Sequence, residues 1–315
     1  MVKPLLVGID GGGTKTRVMA RRVGEFRPLL DRAYPESNYQ SIGMSAVTRV
    51  LGLILDDLRP FFPPDHREVS LAMGMAGIDR ESDVELYLAA LRELGYEGRA
   101  VACNDARIAL MGAHGGDVGA IVICGTGSIA TGLTADGREL RAGGWGALAG
   151  DEGSGYRLGI EGISAVFRAY DGSGAETGLT RQLLALYGKT TVPDLLDVLD
   201  GGDGLPVRAV AAAARPVLEL SETDGVCREI VRRQAAALAG VAGALASRMG
   251  RPDFPLALMG GLLRNVPGYA DLFLTNLKSA YPDINITSPQ GDAAQGALLL
   301  AERLYGQGRW KGTDL

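Results

Sequence analysis

Asp10 and Asp151 stand in glycine-rich turns of this chain, Asp105 at the end of an apolar strand, and Asn38 in a polar loop. Their types and surroundings point to chemistry on phosphates. Asp10 opens Asp-Gly-Gly-Gly-Thr-Lys-Thr at the end of the apolar run Leu5-Leu6-Val7-Gly8-Ile9. Gly11, Gly12 and Gly13 let backbone N–H groups approach an anion and form a nest. Thr14 and Thr16 add hydroxyls, and Lys15 offsets negative charge. A carboxylate beside a phosphate cradle has a use if it positions a cation. Asp10 is therefore the Mg²⁺ candidate, acting through water, because Mg²⁺ keeps much of its water shell. The stretch is not a Walker A loop, which needs Lys directly after its last Gly and then opens a helix. Here Thr14 intervenes, and the alternation in TKTRVMARRV predicts a strand. An ordinary glycine hairpin is the bland alternative, but it gives Asp10 and Thr14 no role.

Cys124-Gly125-Thr126-Gly127-Ser128-Ile129-Ala130 fits G-x-G-x-x-A. The dinucleotide fingerprint must open a helix, whereas this segment continues as a strand to Thr134. Gly125, Thr126, Gly127 and Ser128 thus read as a second phosphate-holding hairpin. Gly260-Gly261 form a third turn, at a strand-to-helix junction. Its backbone either faces a flat ring such as adenine, or a ribose, or simply packs the helix on the strand. Asp105 falls where a strand ends and a helix begins. It is either a helix N-cap or a general base, the group that takes the acceptor's hydroxyl proton in phosphoryl transfer. Gly150-Asp151-Glu152-Gly153-Ser154 puts two carboxylates in a glycine loop, either as a solvated turn or to chelate vicinal hydroxyls. Asn38 reads as a turn residue on sequence alone.

The elements that position these residues repeat. Residues 4–10 and 14–23 predict two strands around the first glycines. A helix over 45–59, stopped by Pro60, a strand over 70–78, a helix over 81–94 and a strand over 99–106 follow. From residue 119 the chain restarts with strand, glycine turn and strand through 133. Helices through about 170 and over 175–187, 206–220 and 224–249 come next. A strand, a glycine turn and a helix start lie in 254–265, a strand in 281–288, and a helix capped by Asp292 in 292–305. A duplicated α/β unit with a cleft between its copies is the economical reading. The glycine turns and Asp105 then fall at the carboxyl ends of strands, where ligands of open α/β sheets sit.

Composition sets bounds. The 315 residues suit two lobes. A net charge of −5 without Lys/Arg runs speaks against nucleic acid and anionic membrane surfaces as partners. No apolar run reaches membrane length, and the start of the chain lacks a secretory cleavage pattern. Three scattered cysteines, Cys103, Cys124 and Cys227, imply a reducing compartment and no zinc spacing. With only His66 and His114, histidine-based chemistry is disfavoured.

Taken together, GIDGGGTKT, ICGTGSIA, GGWGALAGDEGS and MGGLLRN resemble the sugar-kinase, heat-shock-70 and actin superfamily. Within it the chain resembles the BadF/BadG/BcrA/BcrD ATPase family, on the branch of N-acetylglucosamine and bacterial glucosamine kinases. The likeness runs from Leu5 to about Leu304. It implies an α/β fold of two duplicated ribonuclease-H-like, actin-like ATPase domains around an interdomain cleft. The domains would span 1–117 and 118–299, with a last helix at about 300–315 packing back on the first. The activity implied is ATP-dependent phosphorylation of an amino sugar, N-acetylglucosamine or glucosamine, at the 6-hydroxyl, in a cytoplasmic homodimer. Asp105 would be the base; Asn38, Asp105, Ser128 and Asp151 would hold the sugar. Gly11 to Lys15, Gly125 to Gly127 and Gly260-Gly261 would surround ATP, with Asp10 positioning Mg²⁺. The stretch after Asn38 carries no bulky wall such as a Trp, which leaves the 2-substituent open. Kinases for muramic-type sugars, ATPases that activate a redox enzyme and non-catalytic sugar sensors are the alternatives.

Overall fold

The computed structural model describes residues 2–200, 205–251 and 253–306. These described residues divide into two compact units, one of residues 2–119 with 288–306, the other within residues 120–287. The expected last helix at about 300–315 is described only to residue 306; residues 307–315 lie outside the described residues.

The first unit is built on the sheet β3-β2-β1-β4-β5. Its strands are β1 (Leu5–Gly11), β2 (Thr16–Arg22), β3 (Leu30–Tyr34), β4 (Val69–Met75) and β5 (Arg99–Asn104). β1 pairs antiparallel with β2 and parallel with β4, which pairs parallel with β5. β1 and β4 are buried on both faces, so they read as continuous apolar runs rather than alternating ones. On one face Leu5, Val7 and Ile9 join a core with the helices Met44–Leu58 and Glu81–Glu93. On the other, Leu6 and Ala72 pack with residues of the helices Asp105–Ala113 and Ala293–Gly306. The last helix is closed by reciprocal bonds: the Gln295 N–H donates to Asp292 Oδ1 at 3.0 Å and the Asp292 N–H to Gln295 Oε1 at 2.9 Å.

The second unit repeats the plan in the sheet β10-β9-β6-β7-β8. Its strands are β6 (Gly119–Cys124), β7 (Ser128–Leu133), β8 (Glu139–Gly143), β9 (Pro255–Met259) and β10 (Asn285–Thr287). Listed from the antiparallel edge, the orders 3-2-1-4-5 and 8-7-6-9-10 are the same, so the glycine turns after β1 and β6 occupy equivalent places. A single core joins this sheet to the helices Gly155–Tyr170, Gly225–Ala246 and Pro267–Ala280. The helical stretch 206–220 breaks into Val207–Ala212 and Ala214–Leu220.

Two strands lie outside the sequence expectation, β3 and β8. Both are third strands following a hairpin, and β3 is exposed over Asp31, Arg32 and Ala33. An edge strand buries too little to show an apolar period. The helix Pro267–Ala280 was likewise expected only as a start near Asn265.

Candidate active site

Asp10 is the sixth residue of β1, paired across to Arg17 on β2 and Gly74 on β4. Burial pushes its carboxyl up to about 6, and the charges of Asp105 and Asp292 push the same way; Arg17 and Lys15 oppose them. Two further carboxylates thus act on one partly buried acid. This is the electrostatic setting a divalent cation relieves. No group of three or more His, Cys, Asp or Glu able to cage a metal occurs among the described residues. The donor set fits Mg²⁺ held by one carboxylate, waters and phosphates rather than a protein cage.

Asp292 and Arg17 were missed as contributors to this site. Arg17 Nη1 donates to Asp292 Oδ2 at 2.5 Å, and its Nε and Nη2 donate to Asp31, each at 2.8 Å. The sequence shows Asp292 only as a helix cap, because its approach to Asp10 spans most of the chain.

The first glycine turn is a hairpin: the Gly12 N–H donates to the Lys15 carbonyl at 3.0 Å. That N–H is engaged by the turn, which narrows the proposed anion nest. Gly11 is tightly enclosed, since a Cβ there would fall 2.4 Å from Met75 Cε.

Asp105 is not the N-cap. Asn104 is, its side chain accepting from the Ala106 N–H at 2.9 Å while its Nδ2 donates to the Ile78 carbonyl at 2.8 Å. Asp105 is the first residue of the helix, close enough to Asp10 to raise its pKa. Asn38 caps the short helix Tyr39–Ile42, accepting from the Gln40 N–H at 3.0 Å. The Tyr87 hydroxyl brackets it, donating to the Ser37 carbonyl at 2.8 Å and accepting the Tyr39 N–H at 3.3 Å.

In the second unit the Gly125 N–H donates to the Gly127 carbonyl at 2.9 Å, closing the hairpin. The helix Gly155–Tyr170 anchors it: the Gly155 and Tyr156 N–H groups donate to the Gly125 and Thr126 carbonyls at 2.8 and 3.0 Å. Asp151 lies over the turn, and the Ser128 N–H donates to its Oδ1 at 3.3 Å. Burial raises the Asp151 carboxyl above the usual carboxylate range; Ser128, Arg157 and Arg141 oppose the rise. Ser128 braces this loop, its hydroxyl donating to the Glu152 carbonyl at 2.7 Å. Gly125, Thr126 and Gly261 line a cavity of about 800 Å³ whose walls include Ala211, Leu218 and Leu262. Apolar walls and a glycine floor suit a flat heteroaromatic ring. Gly260 serves packing: a Cβ there would fall 2.3 Å from the Cys124 carbonyl oxygen, and its φ is +84°.

The sequence profile of the BadF/BadG/BcrA/BcrD ATPase family matches residues 7–301. The chain belongs to this family. Among curated relatives, it is 33% identical over 300 residues to the N-acetylmuramic acid/N-acetylglucosamine kinase of Clostridium acetobutylicum, covering 94% of this chain and 97% of that one. It is 32% identical to the N-acetyl-D-glucosamine kinase of Dictyostelium discoideum, covering 96% and 98%. Among solved structures, a candidate N-acetylglucosamine kinase from Chromobacterium violaceum matches with a TM-score of 0.75 at 28% identity, covering 96% of this chain and 100% of that one. The BadF/BadG/BcrA/BcrD match accounts for the repeated sheet: the fold is the duplicated actin-like ATPase fold. Family membership also carries ATP use.

Proposed function

We propose that this protein transfers the γ-phosphoryl group of ATP to the 6-hydroxyl of an amino sugar, N-acetylglucosamine or glucosamine. The observation that carries this reading is the near-full-length likeness to two curated amino-sugar kinases. Asp105 accepts the proton of the attacking hydroxyl. It sits at the first position of a helix capped by its neighbour Asn104, at the carboxyl end of β5. Asn38 and Asp151 hold sugar hydroxyls, and Ser128 keeps the Asp151 loop in place. The turns Gly11 to Lys15 and Gly125 to Gly127 take the phosphates, while Gly261 and the apolar cavity take the adenine ring. Asp10 positions Mg²⁺, with Lys15 and Arg17 tempering the surrounding negative charge. When bound, Mg²⁺ neutralises charge on the transferring phosphates.

Activity on N-acetylmuramic acid is a second reading, supported by the name of the Clostridium relative. The deciding experiment measures ADP release with Mg·ATP over glucosamine, N-acetylglucosamine, N-acetylmuramic acid, N-acetylmannosamine, glucose and no sugar. Release that depends on an amino sugar is expected. Equal release in every reaction, including the sugar-free one, would sink the kinase reading. The homodimer and cytoplasmic expectations go with this reading and are checked by light scattering and fractionation.

A further inference from the structure

The peptide around Gly153 is held by three elements of the second unit at once. Its N–H donates to Gln234 Oε1 at 2.9 Å, from the helix Gly225–Ala246. Its carbonyl accepts from the Tyr269 hydroxyl at 2.5 Å, on the helix Pro267–Ala280, and from Cys124 Sγ at 3.3 Å, at the end of β6. Gly153 has φ +76°, and a Cβ there would lie 2.6 Å from Leu238 Cβ, so no side chain fits.

Two residues earlier, Asp151 has φ 59°, the one positive φ of a non-glycine residue among the described residues. The left-handed region costs a non-glycine residue about 1 kcal/mol or more, and persists where surrounding structure enforces it. Within the loop, the Ser154 N–H donates to the Asp151 carbonyl at 3.0 Å, and Ser128 holds Glu152. The Gly153 bonds tie this turn to the helices behind it.

Gln234 is itself oriented. Its Nε2 donates to Glu161 on the helix Gly155–Tyr170, and Glu161 also pairs with Arg233. With its amide nitrogen committed there, the Gln234 oxygen faces Gly153. Gln234 is 7% exposed and Tyr269 1%. A polar group so buried is costly unless bonded, and apolar residues would fill both helix positions as well. Packing therefore does not explain their polarity, whereas the Gly153 bonds do.

We infer that Gln234 and Tyr269 are positioning residues: by clamping Gly153 they hold the left-handed turn that presents Asp151 to the sugar. They act through the backbone and not by touching substrate. The inference rests on the amino-sugar kinase reading.

The test uses the full chain with Tyr269→Phe, which removes one oxygen, and Gln234→Met, which keeps side-chain length without a strong acceptor. Phe273→Leu, buried on the same helix as Tyr269, is the stability control. KM for N-acetylglucosamine, KM for ATP, kcat and Tm are read for each. Loss of one clamp bond should raise sugar KM about 3- to 10-fold, with ATP KM changed less than about 2-fold and no sugar effect in Phe273→Leu. If Gln234→Met does not fold, Tyr269→Phe decides alone. A smaller sugar effect in the folded variants, or an equal rise in both KM values, overturns the clamp while leaving the kinase reading intact. Wild-type protein without sugar-dependent ADP release overturns the kinase reading instead, and the clamp with it.

Discussion

At the residue scale the site turns on two acids in different surroundings. Asp105 is the first residue of its helix, directly after the cap Asn104, and its charge reaches Asp10. Asp105→Asn should lower kcat roughly 10²- to 10⁴-fold, the usual range for a general base, with Tm little changed. Near-normal turnover would remove it from the mechanism. Asp10 makes the opposite kind of prediction, about stability. Folded Asp10 holds its proton up to about pH 6, whereas its ordinary value is 3.8. The folded state therefore binds more protons between those values, and stability falls as pH rises through that window. Above pH 6 the full cost of ionising Asp10 is present, on the order of 3 kcal/mol. Asp10→Asn should accordingly raise the Tm of the nucleotide-free protein at pH 7.5 and leave it nearly unchanged at pH 3.8. The same variant should lose roughly 10- to 100-fold in activity, as expected when a group orienting a metal through water is removed. The half-saturating Mg²⁺ concentration of the wild type should rise below pH 6, because protons then compete at Asp10. A variant whose Tm falls at pH 7.5 would contradict the crowded-carboxylate picture.

At the element scale, Gly260 ties the nucleotide cavity to β6. Gly260→Ala adds a methyl that meets the Cys124 backbone, in a conformation that disfavours side chains. The expected cost is about 1–3 kcal/mol by chemical denaturation, with a raised KM for ATP because Gly261 lines the cavity. Unchanged stability would mean that the turn relaxes freely. This residue also shows what was legible in the sequence. The three glycine turns could be located by eye, but the Gly-Gly pair read equally as ring contact or packing. Distances to β6 divide the pair, Gly260 for packing and Gly261 for the cavity wall. The central strands were readable because both their faces are apolar. β3 and β8 were not, since an exposed edge strand carries turn-like and charged residues. Asn104 and Asp105 show a finer limit: adjacent residues can both cap a helix, and only the backbone shows which one does. The pairing of Arg17 with Asp292 and of Tyr87 with the peptides around Asn38 left no local signal, because each links distant segments.

At the scale of the whole molecule, the first unit is completed by the far end of the chain. The helix Ala293–Gly306 lies against β1 and the helix Asp105–Ala113, and it closes the core around Leu6, Ala72 and Ile108. The approach is closer than side chains permit: a Cβ on Gly296 would fall 1.8 Å from the Ile108 carbonyl oxygen, and one on Gly112 2.1 Å from the Asp292 carbonyl oxygen. The glycines let one helix backbone rest on the other, and that contact sets both Asp292 and the helix that begins with Asp105. A bulkier residue must push the helices apart, moving Asp105 and Asp292, the two acids that act on Asp10. Gly296→Val should therefore do two things at once. It should destabilise the protein by about 3 kcal/mol or more, beyond ordinary overpacking because backbone and not side chain must yield. In whatever fraction stays folded, it should lower kcat more than it raises KM for ATP, since the nucleotide cavity lies on residues of the other unit. Turnover per folded molecule, with the folded fraction read by circular dichroism, separates the two effects. Normal turnover per folded molecule would show that the returning helix stabilises the first unit without setting its acids.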